Sequence, residues 1–306
     1  HRYRLMKRKG LLQKIRTAVQ TAAAVLFNGY AAGFAKGKIF NGKTKLLCVP
    51  VLNCYSCPGA LGSCPVGSLQ SVIADRKYGF SFYVLGMIML FGVVLGRVVC
   101  GFLCPFGFLQ ELIFKIPTKK LSVNQTADKY FRYLKYVILV VFVFGLPLVL
   151  RDKYGESLPY FCKWICPAGT LEGGFTLLAL NKSLRNAIGG LFTWKAAVLI
   201  ALLILCLFVE RPFCKYLCPL GAFYGLFNRI SLFRAEIDRD SCTSCGKCSR
   251  ACPMQVDVLK DPNGAECIRC GKCGSICPES AIKLETLFQI KKIVNKPDEF
   301  RIDRNT

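Results

Sequence analysis

The 306 residues carry 42 Lys and Arg against 18 Asp and Glu, a formal charge of +24, and 53% of them are hydrophobic. A chain of this size needs no disulfide staples to hold a core, so its 19 cysteines call for another explanation. The basic residues flank apolar segments instead of forming one stripe, which argues against nucleic acid and for lipid headgroups or an acidic partner.

In chain order, a basic stretch over residues 1–16 is followed by no A-x-A-like site, so a cleavable signal peptide is not expected. Apolar segments then fall at 17–35, 80–98, 133–150 and 191–209, each close to the roughly 20 residues that span a bilayer core. Gln20 and Asn28 interrupt the first, whereas the runs 136–150 and 196–209 contain no charge. Mean hydropathy is +0.39 overall, but the composition changes near residue 235. The division predicts a membrane domain over 1–235 and a polar, cysteine-rich domain over 236–306, ending in a charged tail from residue 284.

An internal repeat organises the first domain. Cys-Pro-x-Gly occurs at Cys64, Cys104, Cys166 and Cys218, each copy followed by an apolar stretch. Three copies have a second cysteine four residues earlier, at Cys100, Cys162 and Cys214; the first has Ala60 there and Cys57 three residues further back. Proline suits the first position of a helix, where its missing N–H costs nothing. Each cysteine is therefore expected at a helix N-terminus, where free N–H groups and the helix dipole favour an anionic sulfur. Alternating spans would put copies two and four on one face and copies one and three on the other. Across a core about 30 Å thick, such groups exchange electrons only if re-entrant segments sink them toward the middle.

The second domain carries the strongest signal. Cys242-x2-Cys245-x2-Cys248-x3-Cys252-Pro253 is followed by Cys267-x2-Cys270-x2-Cys273-x3-Cys277-Pro278. Paired runs of this form hold two [4Fe–4S] clusters, with the fourth cysteine of each run ligating the other cluster. One cluster is then expected on Cys242, Cys245, Cys248 and Cys277, and the other on Cys267, Cys270, Cys273 and Cys252. Zinc also takes C-x2-C pairs, but two complete four-cysteine runs ending in proline favour iron–sulfur. Thiolates at this density imply assembly in a reducing compartment.

With these pairs beside apolar spans and a two-cluster domain behind them, the chain resembles the NapH-type membrane ferredoxins. It is also similar to the membrane polyferredoxin cores of the NosR and CcoG proteins. The resemblance implies quinol oxidation or electron delivery across or along the membrane. An extra Cys-x3-Cys-Pro pair and the segment from Cys54 to Cys64 depart from the simplest NapH pattern and favour a longer cluster chain.

Ligand counting agrees. Cys100, Cys104, Cys214 and Cys218 suffice for a third cubane, and Cys162, Cys166 and Cys64 supply three ligands of a fourth. Cys57 is the preferred fourth ligand there, with Cys54 close behind. Cys48 and Cys54 either pair as a disulfide or replace Cys57 as ligand, and Cys206 reads as a packing residue in an apolar helix. The only histidine is His1, which excludes a bis-histidine haem and a Rieske centre. No G-x-G-x-x-G fingerprint follows an expected strand, so no NAD site is expected. Lys163, Arg211 and Lys215 stand beside expected ligands, where they either meet lipid or raise cluster potentials.

The expected fold is an α-helical membrane protein of about four transmembrane helices with re-entrant cysteine segments, joined to an α+β two-[4Fe–4S] ferredoxin domain. The expected role is the electron-transfer subunit of an oxidoreductase complex in the cytoplasmic membrane. It would relay electrons between a soluble acidic carrier, such as a ferredoxin or flavoprotein, and the opposite face. Partner subunits would supply any flavin or quinone. Lys and Arg are spread too evenly over the connecting segments to fix the orientation, so the sidedness rests on a cytoplasmic ferredoxin domain. Quinol/quinone oxidation is the alternative role.

Overall fold

A computed structural model describes residues 2–74, 82–121, 124–150, 157–186 and 188–286. The charged tail beyond 286 and the start of the second apolar segment, at 80–81, lie outside the described residues.

Helices dominate, and their lengths follow the apolar pattern. Among the described residues two are long and apolar enough to cross a membrane, Thr126–Val149 and Gly190–Phe208. Only 28% and 17% of their apolar windows are buried within the protein. Val140, Val149, Ile200 and Ile204 point outward, unlike the core helix of a water-soluble protein. Phe82–Leu95 is apolar but has only 14 residues.

The first expected span is not one helix. The N-terminal helix Arg2–Phe27 stops at Asn28, and a short helix resumes at Ala31–Lys36. The chain breaks there to receive the loop that carries Cys54, Cys57 and Cys64. The Tyr30 N–H donates to Gly59 O at 3.1 Å, and the Leu61 N–H donates to Phe27 O at 3.0 Å. A Cβ on Gly33 would stand 2.1 Å from Pro58 O, so glycine permits a backbone approach that no other residue could. The same N-terminal helix buries a polar face: Arg16 pairs with Glu111 at 2.8 Å, and Gln20 donates to Gly101 O at 3.0 Å.

The four repeats begin the helices that the prolines announce. Cys104 caps Pro105–Phe114 and Cys218 caps Pro219–Phe227, each with Pro in the first turn. Cys64 precedes Pro65–Ala74, and Cys166 precedes a helical stretch that widens to π-helix over Gly169–Phe175. One continuous core takes in cysteines of all four copies, together with Ile268 and Cys270 of the C-terminal domain.

That domain is closed by an antiparallel pair, Phe233–Ile237 with Ile282–Thr286, Phe233 opposite Thr286 and Ile237 opposite Ile282. Its two halves repeat even in backbone conformation. Ser244 and Arg269 share a left-handed φ of 53° and 50°, Gly246 and Gly271 of 69° and 72°, Gln255 and Ser280 of 50° and 54°. Holding non-glycine residues there costs free energy that ligation of the neighbouring cysteines can offset.

Candidate iron–sulfur centres

None of the 19 cysteines is joined to another in a disulfide, so the Cys48–Cys54 pair expected as one alternative does not form. The repeats assemble in pairs.

Copies two and four face each other. Gln110 donates to Cys214 Sγ at 3.3 Å, and its carbonyl accepts the Phe213 N–H at 3.1 Å. Arg97 reaches across to Cys214 O at 3.2 Å, and Arg211 returns the contact to Cys100 O at 2.7 Å. Burial, then the thiols of Cys214 and Cys100, push the Cys104 thiol up to about 12. Burial and the thiols of Cys214, Cys100 and Cys104 also drive Cys218 well above its ordinary value. The structure thus brings Cys100, Cys104, Cys214 and Cys218 together.

The repeat glycine has a definite job here. Backbone N–H groups of Gly107, Gly169 and Gly221 donate to Sγ of Cys104, Cys166 and Cys218 at 3.3–3.4 Å. The Gly67 N–H bears on Cys64 in the same sense. Such bonds favour a thiolate, the form that ligates a metal. A Cβ on Gly169 would be in ordinary contact, 3.6 Å from the sulfurs of both Cys166 and Cys54, so the two sulfurs flank one backbone position. The donor set and its N–H support fit a cubane.

Copies one and three pair likewise. Gln70 donates to Cys162 Sγ at 3.5 Å and accepts the Phe161 N–H at 3.0 Å. A cavity of about 850 Å³ opens here, with Cys54, Cys64, Cys162 and Cys166 in its wall. Burial, then Cys64 and Cys54, push the Cys162 thiol up to about 12.

One expected residue moves. Cys54, not Cys57, joins the other three sulfurs. Cys57 opens its own tight turn, accepts backbone N–H groups from Gly59 and Ala60, and is absent from the cavity wall. Cys54 instead is held by Glu172, whose carboxylate accepts the Cys54 N–H at 2.8 Å. Burial pushes the Glu172 carboxyl up to about 7.

Of these supporting residues sequence reasoning singled out Arg211 and missed the others, although a signal was present. Gln70, Gln110, Glu172 and Tyr224 all stand six positions after the repeat cysteine, and Arg97 and Arg211 stand seven before it.

In the C-terminal domain, Cys252, Cys267, Cys270 and Cys273 line one small cavity, the set expected for the crossed second cluster. This group abuts the copy-two segment: a Cβ on Gly101 would lie 2.4 Å from Ile268 O. Arg97 donates to Ala265 O at 2.8 Å and pairs with Glu266 at 3.1 Å, and Lys135 pairs with the same carboxylate. Of the other expected set, Cys248 is buried, Cys242 and Cys277 are half-buried and Cys245 is exposed, next to the exposed Lys247 and Arg250.

Among the described residues no three Cys, His, Asp or Glu side chains converge on a single-ion site.

Residues 79–124, 157–184 and 192–237 match the family described as a 4Fe-4S binding domain, and residues 234–256 match a second family with the same description. The three pieces of the first match contain copies two, three and four in turn. The chain is 34% identical to the uncharacterized protein MJ0750 of Methanocaldococcus jannaschii over 64% of its own length and 75% of the relative's. It is 32% identical to the ferredoxin-type protein NapH of Haemophilus influenzae, covering 58% of this chain and 54% of that one. With the methylamine utilization ferredoxin-type protein MauN of Paracoccus denitrificans it shares 30% identity over 64% and 62%. No solved structure matches the chain.

Proposed function

The chain belongs to the NapH-type membrane ferredoxin family, and on that footing we propose that it is a membrane-bound electron-transfer subunit holding four [4Fe–4S] clusters in a row. A ferredoxin-type role is common ground with NapH and MauN. The row, its length and its setting are the proposal.

The observation that carries it is the contiguity of the cysteine groups. Cys242, Cys245, Cys248 and Cys277 would form one end of the row, reaching the surface at Cys245. Cys252, Cys267, Cys270 and Cys273 follow, docked on the copy-two segment through Gly101 and Arg97. Next come Cys100, Cys104, Cys214 and Cys218, the inner group, and last Cys54, Cys64, Cys162 and Cys166, the outer group. A cluster bound at each group would supply one-electron transfer. The protein's part is to hold sixteen sulfurs, to direct N–H groups at them, and to place buried Arg97 and Arg211 beside the inner group.

Thr126–Val149 and Gly190–Phe208 would cross the bilayer, with the ferredoxin domain on the cytoplasmic side where clusters are inserted. Lys247 and Arg250 beside exposed Cys245 suit an acidic soluble carrier. Anaerobically purified full-length protein should then contain about sixteen irons per chain, four per cluster. About eight irons, all assignable to the ferredoxin domain, would refute the membrane-domain clusters.

The cavity favours a second reading, quinol oxidation at the outer group. At about 850 Å³ it has the size of a small-molecule site, and Val72, Leu177, Ile188 and Phe192 give it an apolar wall. A quinol analogue in that space should perturb the paramagnetic resonance of one membrane-domain cluster and leave the ferredoxin signals unchanged. An unperturbed spectrum at saturating analogue would count against quinone there.

A further inference from the structure

Tyr224 breaks the symmetry of the repeats. Its counterparts six residues after the other repeat cysteines stay within their own pair: Gln70 reaches Cys162, Gln110 reaches Cys214, and Glu172 reaches Cys54. Tyr224 belongs to copy four, yet its hydroxyl donates to Pro50 O at 3.0 Å, in the loop that leads to the cysteines of copy one. Cys48 stands two residues before Pro50 and Cys54 four after it. The ring has no solvent exposure, and its helix Pro219–Phe227 touches Pro65–Ala74, the helix that copy one begins.

The position is intermediate by construction. Six helical residues carry the chain about 9 Å from Cys218 to Tyr224. The phenol is driven well above its ordinary value by burial and then by Cys100, Cys48, Cys64 and Cys218, thiols of both groups.

We propose that Tyr224 is the bridging residue between the two membrane-domain clusters, its ring and its hydrogen bond to Pro50 forming the electronic path between the inner and outer cysteine groups. This rests on the reading that both groups hold clusters. One electron leaves one cluster and enters the other; the tyrosine is neither oxidised nor reduced and keeps its proton. The path runs from Cys218 along about 1.7 turns of helix to the ring, through the hydroxyl to Pro50 O, and into the loop of Cys54. A covalent and hydrogen-bonded route couples two centres better than the van der Waals gap that a smaller side chain would leave.

The test uses the full-length protein with its clusters, comparing Tyr224→Phe and Tyr224→Leu with the parent. Electron redistribution after flash photoreduction is timed, and iron content, paramagnetic resonance and cluster potentials are recorded in parallel. Tyr224→Leu should slow transfer between the membrane-domain clusters at least about tenfold, the change that an added 1.36 kcal/mol of barrier would make. Tyr224→Phe keeps the ring, loses the bond to Pro50, and should slow transfer by a smaller factor. Both should keep four clusters at unchanged potentials, which a merely structural role would not combine with a slower rate. Parental rates in both variants would overturn the proposal. If Tyr224→Leu fails to assemble, Tyr224→Phe decides alone, and a parental rate there overturns it. A parent that lacks the membrane-domain irons would instead overturn the four-cluster reading.

Discussion

Replacing Cys54 by serine is expected to remove one whole cluster, about four of about sixteen irons, while Cys57→Ser leaves the iron content unchanged. The contrast follows from where the two sulfurs point. Cys54 shares the cavity wall with Cys64, Cys162 and Cys166, and its backbone is fixed by Glu172. Cys57 accepts the N–H groups of its own turn. The signal lost in Cys54→Ser should be the one lost in Cys64→Ser and Cys166→Ser. Cys104→Ser and Cys218→Ser should share a different loss, because their sulfurs stand with Cys214 and Cys100. Iron analysis and paramagnetic resonance on the purified variants decide it. Loss of a cluster in Cys57→Ser together with retention in Cys54→Ser would reverse the ligand assignment.

The second large effect concerns the joint between the two parts of the chain. Glu266→Ala should destabilise the folded protein by about 3–5 kcal/mol, the cost of leaving a buried charge unpaired. Arg97 and Lys135 both rely on that carboxylate, and both side chains are fully buried. Arg229–Asp261 is the natural control, with side chains 74% and 46% exposed. Asp261→Ala should cost less than about 1 kcal/mol. Chemical unfolding of the full chain in detergent, with protease cleavage between the domains as a second readout, compares the two. Equal and small effects would mean that the ferredoxin domain is held by packing at Ile268 and Gly101 and not by this charge cluster.

What the sequence made legible was whatever repeats at a fixed interval. The cysteine-proline steps announce helix starts, because proline and a capping sulfur suit the same two positions, and Cys104 and Cys218 cap helices accordingly. The paired ferredoxin runs are legible for the same reason, since one backbone path is used twice at a 25-residue offset, as from Cys242 to Cys267. Choice among neighbouring residues in a loop was not legible. Cys54 and Cys57 have equal chemistry and differ only in which way a turn directs them. The end of the first helix at Phe27 was only marked by Asn28, because the contacts made at the break, from Leu61 to Phe27 O and from Tyr30 to Gly59 O, come from a loop about 30 residues further along the chain. The polar residues six positions after each cysteine shared the period of the repeat. Their differing identities, two Gln, one Glu and one Tyr, masked a common place in the fold.

On the proposed four-cluster reading, the inner and outer groups each draw their cysteines from two distant copies, which sets a demand on biogenesis. Gln110 and Cys214, in contact across the inner group, are 104 residues apart in the chain, and Gln70 and Cys162 across the outer group are 92 apart. At roughly 5–20 residues per second, the ribosome needs on the order of 5–20 s to supply the second half of either group. Throughout that interval the first cysteines wait as naked thiols with half a coordination shell. Their glycine N–H groups already favour the thiolate, the form most easily oxidised. A nascent chain of this design therefore depends on whatever keeps its early cysteines reduced until copies three and four arrive.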